Sequence, residues 1–276
     1  MMHSPMSWLK RLYCALKRAY DWLMKSDQTS QNEFDALLQL EQASYDQYSQ
    51  TEEGKLAYKV WSATVKDVVM ADEMEIFFYA YHTQVGASAM LALTSLFRQH
   101  GVQSYAMLRN ASENICNALF GLLDRDNVLA NFKKEDAVKR AESDEVYKKA
   151  AYKWMDANHA EYSKYLNDMK KTFFHAVGAH ASIYGVVQNL TIKDKTFKVS
   201  YLDTTAPEML ITNILFAAEF LLKYLEFVVE HAAEAKLAIP DDLPARVKAF
   251  RTELERLREK NRPIFLAFQQ NLVKRK

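Results

Sequence analysis

Glycine and proline are scarce in this chain. Its 276 residues hold six glycines and five prolines, and no proline lies between Pro5 and Pro207. Average usage would give roughly 33 of the two together. Proline breaks helix interiors and glycine weakens them, so a chain that avoids both builds long helices with little interruption. The expected fold is therefore all-α, an irregular multi-helix bundle. Cysteine is scarce too. Cys14 and Cys116 alone make neither a disulfide framework nor a zinc site, and they fit a reducing, cytoplasmic setting. Charge of one sign is nearly absent in the total: the net value of +1 gives no general attraction to nucleic acid or membrane.

What is present is apolar and aromatic. Hydrophobic residues make up 49% of the chain, with 15 Phe, 15 Tyr and 4 Trp, enough to fill a sizeable core. The charge is also unevenly spread. Residues 1–25 carry Lys10, Arg11, Lys17, Arg18 and Lys25 against Asp21, whereas residues 26–80 carry eleven acids against three lysines. Residues 246–276 are again basic, with ten Lys or Arg against Glu253, Glu255 and Glu259. Basic ends and an acidic early segment pair internally or leave a surface for an anionic partner.

Ser4-Pro5 is a helix start signal, and a helix follows to about Lys25. Trp8, Leu9, Leu12, Leu16, Ala19, Tyr20 and Leu23 form its apolar stripe. Such a helix docks on its own protein, or lies on an anionic membrane or directs targeting; docking is the expectation. Residues 1–50 are expected as an amphipathic arm and 55–276 as the main bundle. A second helix covers about 31–50 and is expected to break at Gly54. Helical spacing then runs from 55 to about 99, with an interruption near Met70–Asp72, and ends at His100-Gly101. Gly86-Ala87-Ser88-Ala89 is a run of small residues that lets two helices approach closely. Further helices are expected at about 102–124, 143–177, 206–236, 244–260 and 263–274. A small β-hairpin is expected at 186–201, where Val186, Val187, Ile192, Phe197, Val199 and Tyr201 alternate loosely. The helix opened by Pro207 is the most apolar. Glu219, Lys223, Glu226 and Glu230 interrupt it along one stripe, which argues for a central bundle helix rather than a membrane span.

The helix at 102–124 carries the best candidate for chemistry. Tyr105, Leu108, Ser112, Ile115, Leu119 and Leu122 make its core face, and Arg109, Glu113, Cys116 and Phe120 flank it. Arg109 and Glu113 are four residues apart, so they form a surface pair, or Arg109 lines a cavity and holds a phosphate or carboxylate with Glu113 orienting it. The segment from Phe174 to Ser182 is the candidate partner, with His175, His180 and Ser182 around the helix-weakening Gly178. His82 is a third candidate histidine. Asp156-x-x-His159 is expected to face solvent. No glycine-rich phosphate loop, His-Glu-x-x-His, paired Glu-x-x-His or Gly-x-Ser-x-Gly elbow occurs, so neither a metal nor a cofactor is expected.

Leu108-Arg109-x-x-x-Glu113 followed by Val177-x-x-His180-x-Ser182 resembles a bacterial family of all-helical proteins known only as a domain of unknown function. The likeness covers about residues 80–185. It implies the fold and a site that includes Arg109, Asn110, Glu113, His180 and Ser182. More distantly, the chain resembles the HEPN superfamily, helical domains that include RNA-cleaving toxins and defence proteins. Arg109-Asn110 matches the opening of that signature. Its histidine should fall at 114, 115 or 116, where this chain has Asn114, Ile115 and Cys116. Two functions are therefore expected. One is a non-enzymatic module in bacterial stress or phage defence that binds a protein partner or small anionic ligand. The other is a HEPN-like metal-independent ribonuclease acting on RNA, with Arg109 on the phosphate and His175 or His180 as base.

Overall fold

The computed structural model describes residues 35–68, 76–124, 137–171, 190–193, 196–199 and 207–274. Among them the chain is all-helical apart from one small pair of strands. Helix α1 covers residues 35–49. It is followed by α2 (Glu52–Lys66), α3 (Ile76–Phe97), α4 (Gly101–Leu123), α5 (Ala137–Asn158) and α6 (Ala160–Met169). Strands β1 (Leu190–Lys193) and β2 (Thr196–Val199) come next, then α7 (Pro207–Ala235) and α8 (Leu243–Lys274). The strands pair antiparallel, Leu190 opposite Val199 and Lys193 opposite Thr196, inside the 186–201 window. The chain divides into two compact units, Met1–Ala43 and Ser44–Lys276. Of the first, only residues 35–43 are described, and they are helical; the basic stripe at 5–25 lies outside the described residues.

In the second unit the boundaries follow from caps. Thr51 caps α2: its hydroxyl accepts from the Gly54 N–H at 3.0 Å and its backbone is extended. The expected break at Gly54 is therefore wrong, and the break comes three residues earlier. Gly54 lies in the first turn because a Cβ there would sit 2.2 Å from the Tyr48 carbonyl oxygen, a contact only glycine avoids. The end of α3 is also reached differently. Gln99, not Gly101, takes the left-handed position, with φ 63°. The His100 N–H bonds back to the Ser95 carbonyl at 2.7 Å and Gln99 N–H to that of Leu96 at 2.9 Å, which closes the helix. Gly101 instead opens α4.

The turn folds α4 back against α3. Asn110 meets Ser88, and Gly121 lies so close to Phe78 that an added Cβ would stand 3.0 Å from the Phe78 backbone nitrogen. The run at Gly86 performs the close approach expected of it, toward α2: an added Cβ would meet Val65 Cγ2 at 2.6 Å, and the Gly86 carbonyl accepts from Trp61 Nε1 at 2.9 Å. From Ile115 to Leu122 every residue of α4 is buried, so α4 shares the centre of the bundle with α7. On α7, Ile214, Ala217, Ala218, Phe220, Leu221, Leu222, Tyr224, Leu225 and Val228 are all buried. Each large apolar side chain so covered contributes about 1.5–3 kcal/mol.

Two acids of the charged stripe of α7 meet α8, while Lys223 lies over the Tyr165 ring of α6. Glu226 receives both forks of Arg251, at 2.7 and 2.6 Å, and Glu219 pairs with Arg258. The pairs run in opposite senses along the two helices, which makes them antiparallel. Two expectations fail in this half of the chain. Helix 143–177 is not continuous: His159 leaves helical backbone, φ −137° and ψ 53°, and divides α5 from α6. The helices foreseen at 244–260 and 263–274 are one, with Pro263 inside α8. A proline removes one N–H and strains one turn, and the helix continues past it to Lys274. Among the described residues no helix is long and apolar enough to cross a membrane.

Candidate functional site

Helical spacing puts Arg109, Glu113 and Cys116 within two turns on one side of α4. The turn closing α6 and the outer part of α5 approach that side and deliver Lys170 and Tyr152. Arg109 Nε stands 3.4 Å from Glu113 Oε1, and Lys170 Nζ approaches the same oxygen at 3.1 Å. Lys170 Nζ also donates to the Tyr152 hydroxyl at 3.3 Å. The side chains are 31%, 30% and 23% exposed for Arg109, Glu113 and Lys170, so the cluster is neither free surface nor dry core. Burial pushes the Glu113 carboxyl up, but Lys170, by hydrogen bond and charge, and then Arg109 outweigh it and hold the group below its ordinary range. Two cations thus share one carboxylate, while the Asp156 carboxylate also acts on the nearby Cys116 thiol.

Beneath it lies Cys116. Burial pushes its thiol up to about 12, against a weaker pull from Lys170, so it stays protonated and unreactive at neutral pH. Burial likewise raises the Tyr152 phenol. Deeper still, the Tyr162 hydroxyl is buried without a hydrogen-bond partner among the described residues.

Of the residues the sequence singled out, Arg109 and Glu113 meet as a pair. Asn110 turns away toward α3: its Nδ2 donates to Ser88 Oγ at 2.9 Å, and Asn114 Nδ2 donates to its carbonyl at 2.9 Å. His175, His180 and Ser182 lie outside the described residues. His82 belongs to the core. Its Nε2 is 2.9 Å from the Thr64 carbonyl and its Nδ1 2.7 Å from the Tyr224 hydroxyl. A carbonyl only accepts, so Nε2 carries the proton and Nδ1 accepts from Tyr224. Desolvation holds this imidazole down to about 4, and it is a neutral link among α2, α3 and α7.

His159 does not face solvent as expected. It is half-buried against Trp154, Phe227 and His231, with ring centroids at 5.0, 4.9 and 5.1 Å. Burial, and then the charge of His231, lower its affinity for a proton.

Lys170 and Tyr152 were not foreseen. In sequence, Lys170 is one of six lysines on the long segment 143–177, and the break at His159 sets how α6 returns to α4. Burial keeps both the Cys116 thiol and the Tyr152 phenol of the cluster protonated at neutral pH. Among the described residues no group of three or more His, Cys, Asp or Glu is disposed to hold a metal ion. What the cluster offers is cationic hydrogen-bond donors in a partly desolvated setting. No family model matches the chain, and no curated protein or solved structure matches it either.

Proposed function

We propose that this chain is a non-enzymatic helical binding module whose Arg109–Glu113–Lys170 cluster receives an anionic group from a small ligand or a protein partner. The observation that carries this reading is the sharing of Glu113 between two cations, at 3.4 and 3.1 Å. Only Arg109 Nε is used in that pair. A phosphate or carboxylate takes the terminal guanidinium nitrogens bidentately, and Lys170 adds a point charge from a second element. Partial burial strengthens both interactions relative to water. Glu113 orients the two cations and competes with the ligand. The resemblance to bacterial helical domains supplies the setting for this reading, stress response or phage defence.

Calorimetric titration of the full chain with inorganic phosphate tests it. Binding should be lost in Arg109→Gln and should tighten several-fold in Glu113→Gln, where the competing carboxylate is gone. Phosphate binding that is the same in wild type and Arg109→Gln would remove the cluster from the function. A parallel incubation with mixed RNA, with and without EDTA, addresses catalysis. EDTA-resistant cleavage abolished by Arg109→Ala would replace the binding module with a HEPN-like ribonuclease.

A further inference from the structure

Helix α3 is 22 residues long and contains no Asp, Glu, Lys or Arg. A helix buried all round could be so composed, but α3 is not. Ala80, Thr83, Gln84, Ala87 and Leu91 are exposed, Leu91 at 55%. An uncharged face therefore looks outward along the helix. Beside it runs α2, antiparallel, since Trp61 meets Gly86 while Thr64 meets His82. The hydrogen bond from Trp61 to the Gly86 carbonyl fixes the indole at the α2–α3 seam. Tyr58, 48% exposed, leans on that indole with ring centroids 5.5 Å apart.

The outer row of α2 carries Lys55, Lys59 and Lys66, all exposed. The acids of α2 do not neutralise them, because α8 already engages each one. Glu52 pairs with Arg256 at 3.1 Å and Lys260 at 2.7 Å, Glu53 accepts from Asn261 at 2.8 Å, and Asp67, just past the helix, pairs with Arg246 at 2.7 Å. Among the described residues none of the three lysines has a carboxylate within ion-pair distance. Glu253 acts on Lys59 only at longer range and is itself held by Arg256. In the antiparallel pair the far end of α3, with Leu91 and the exposed Arg98, lies toward Lys55, Tyr58 and Lys59.

We infer that this α2–α3 face docks on an anionic lipid surface, with Lys55, Lys59 and Arg98 against the headgroups and Tyr58 and Leu91 entering the interface. The charge pattern selects that occupant. A nucleic acid would use the lysine row and the tyrosine but has no use for a 22-residue helix without charge. A second copy of this chain would set uncharged faces together and leave the lysine rows unanswered. A bilayer rich in anionic lipid answers both halves: it attracts each lysine near its surface and receives aromatic and aliphatic side chains at the headgroup boundary. Because no described helix can span, this is attachment, reversible and salt-sensitive.

Co-sedimentation of the full chain with vesicles of 70% phosphatidylcholine and 30% phosphatidylserine, beside pure phosphatidylcholine vesicles, is the test. Wild type should partition to the anionic vesicles only, and less at higher salt. Lys55→Gln with Lys59→Gln should weaken partitioning about 25-fold, at about fivefold per lysine. Leu91→Gln should weaken it about tenfold. These side chains are exposed, and unchanged far-UV circular dichroism verifies that the variants fold. A separate variant, Lys10→Glu/Arg11→Glu/Lys17→Glu/Arg18→Glu, tests the amphipathic stripe at 5–25. If that variant abolishes partitioning while the α2 variant retains it, the inference is overturned. It is overturned equally by no binding to anionic vesicles, by equal binding to neutral ones, or by a wild type that ignores vesicles and sediments as a dimer.

Discussion

The buried His82 makes stability depend on pH in a way that can be calculated. In the folded chain desolvation holds its imidazole down to about 4, from an ordinary value of 6.5. Protonation would place a charge in the core and a second donor against the Tyr224 hydroxyl, which already donates to Nδ1. A group depressed in the folded state binds fewer protons there than in the unfolded chain between those two values. Its contribution is therefore fully present above pH 6.5 and is lost as pH falls toward 4. The whole span is about 3 kcal/mol, and about 2 kcal/mol of it is lost between pH 7.5 and pH 5. The measurement is urea unfolding at those two pH values for wild type and His82→Gln. The variant should be less stable at pH 7.5, and the gap should narrow by about 2 kcal/mol at pH 5. Other groups that titrate in this range, His159 among them, act in both proteins and cancel in the difference. A gap that stays constant, or a His82 ring resonance in the wild type that titrates near 6.5, refutes the reasoning.

Three further outcomes are expected. Gly54→Ala should lower stability by about 2 kcal/mol in thermal melts, because the new Cβ meets a backbone oxygen at 2.2 Å and not a side chain that can swing away; an unchanged melting temperature would show that the first turn of α2 shifts freely. Lys236, exposed and left-handed at φ 55°, closes α7, with the Leu237 N–H bonded to the Ala232 carbonyl at 2.8 Å. Lys236→Gly should raise stability by about 0.5–1 kcal/mol, and a loss would contradict that closure. In a Cys14→Ser background, Cys116 should resist an aromatic disulfide reagent at pH 8 until urea unfolds the chain, since its thiol is buried and pushed up to about 12. Rapid labelling of the native protein would mean that the α4–α5 contact opens readily.

The all-helical fold was legible because local rules dominate it. Pro207 opens α7 where N-terminal proline preference puts it, and the small residues around Gly86 do bring α3 against α2. Helix ends were harder to read. Gln99 took a position that composition assigned to a glycine, and Pro263 sits inside one helix where two, at 244–260 and 263–274, were expected. At Gln99 the closing bonds from the Gln99 and His100 N–H groups to the Leu96 and Ser95 carbonyls hold a left-handed residue that costs about 1–2 kcal/mol. The site was half legible. The Arg109–Glu113 pair follows from a spacing of four on one helix. Lys170 and Tyr152 do not, because no periodicity announces which residues of α5 and α6 return to α4.

What the sequence alone determined, then, is the helical class, the apolar character of α7 with its charged stripe, and the absence of charge along α3. These are properties of composition and period, and they hold whatever the helices touch. Only the tertiary structure decided that Glu113 serves two cations, that His82 is a core link and not a site residue, and that α8 engages the acids of α2 while leaving its lysines outward. Those outcomes depend on the direction in which each helix returns across its neighbour. That direction is set by packing across the whole bundle, a long-range effect that no window of sequence contains.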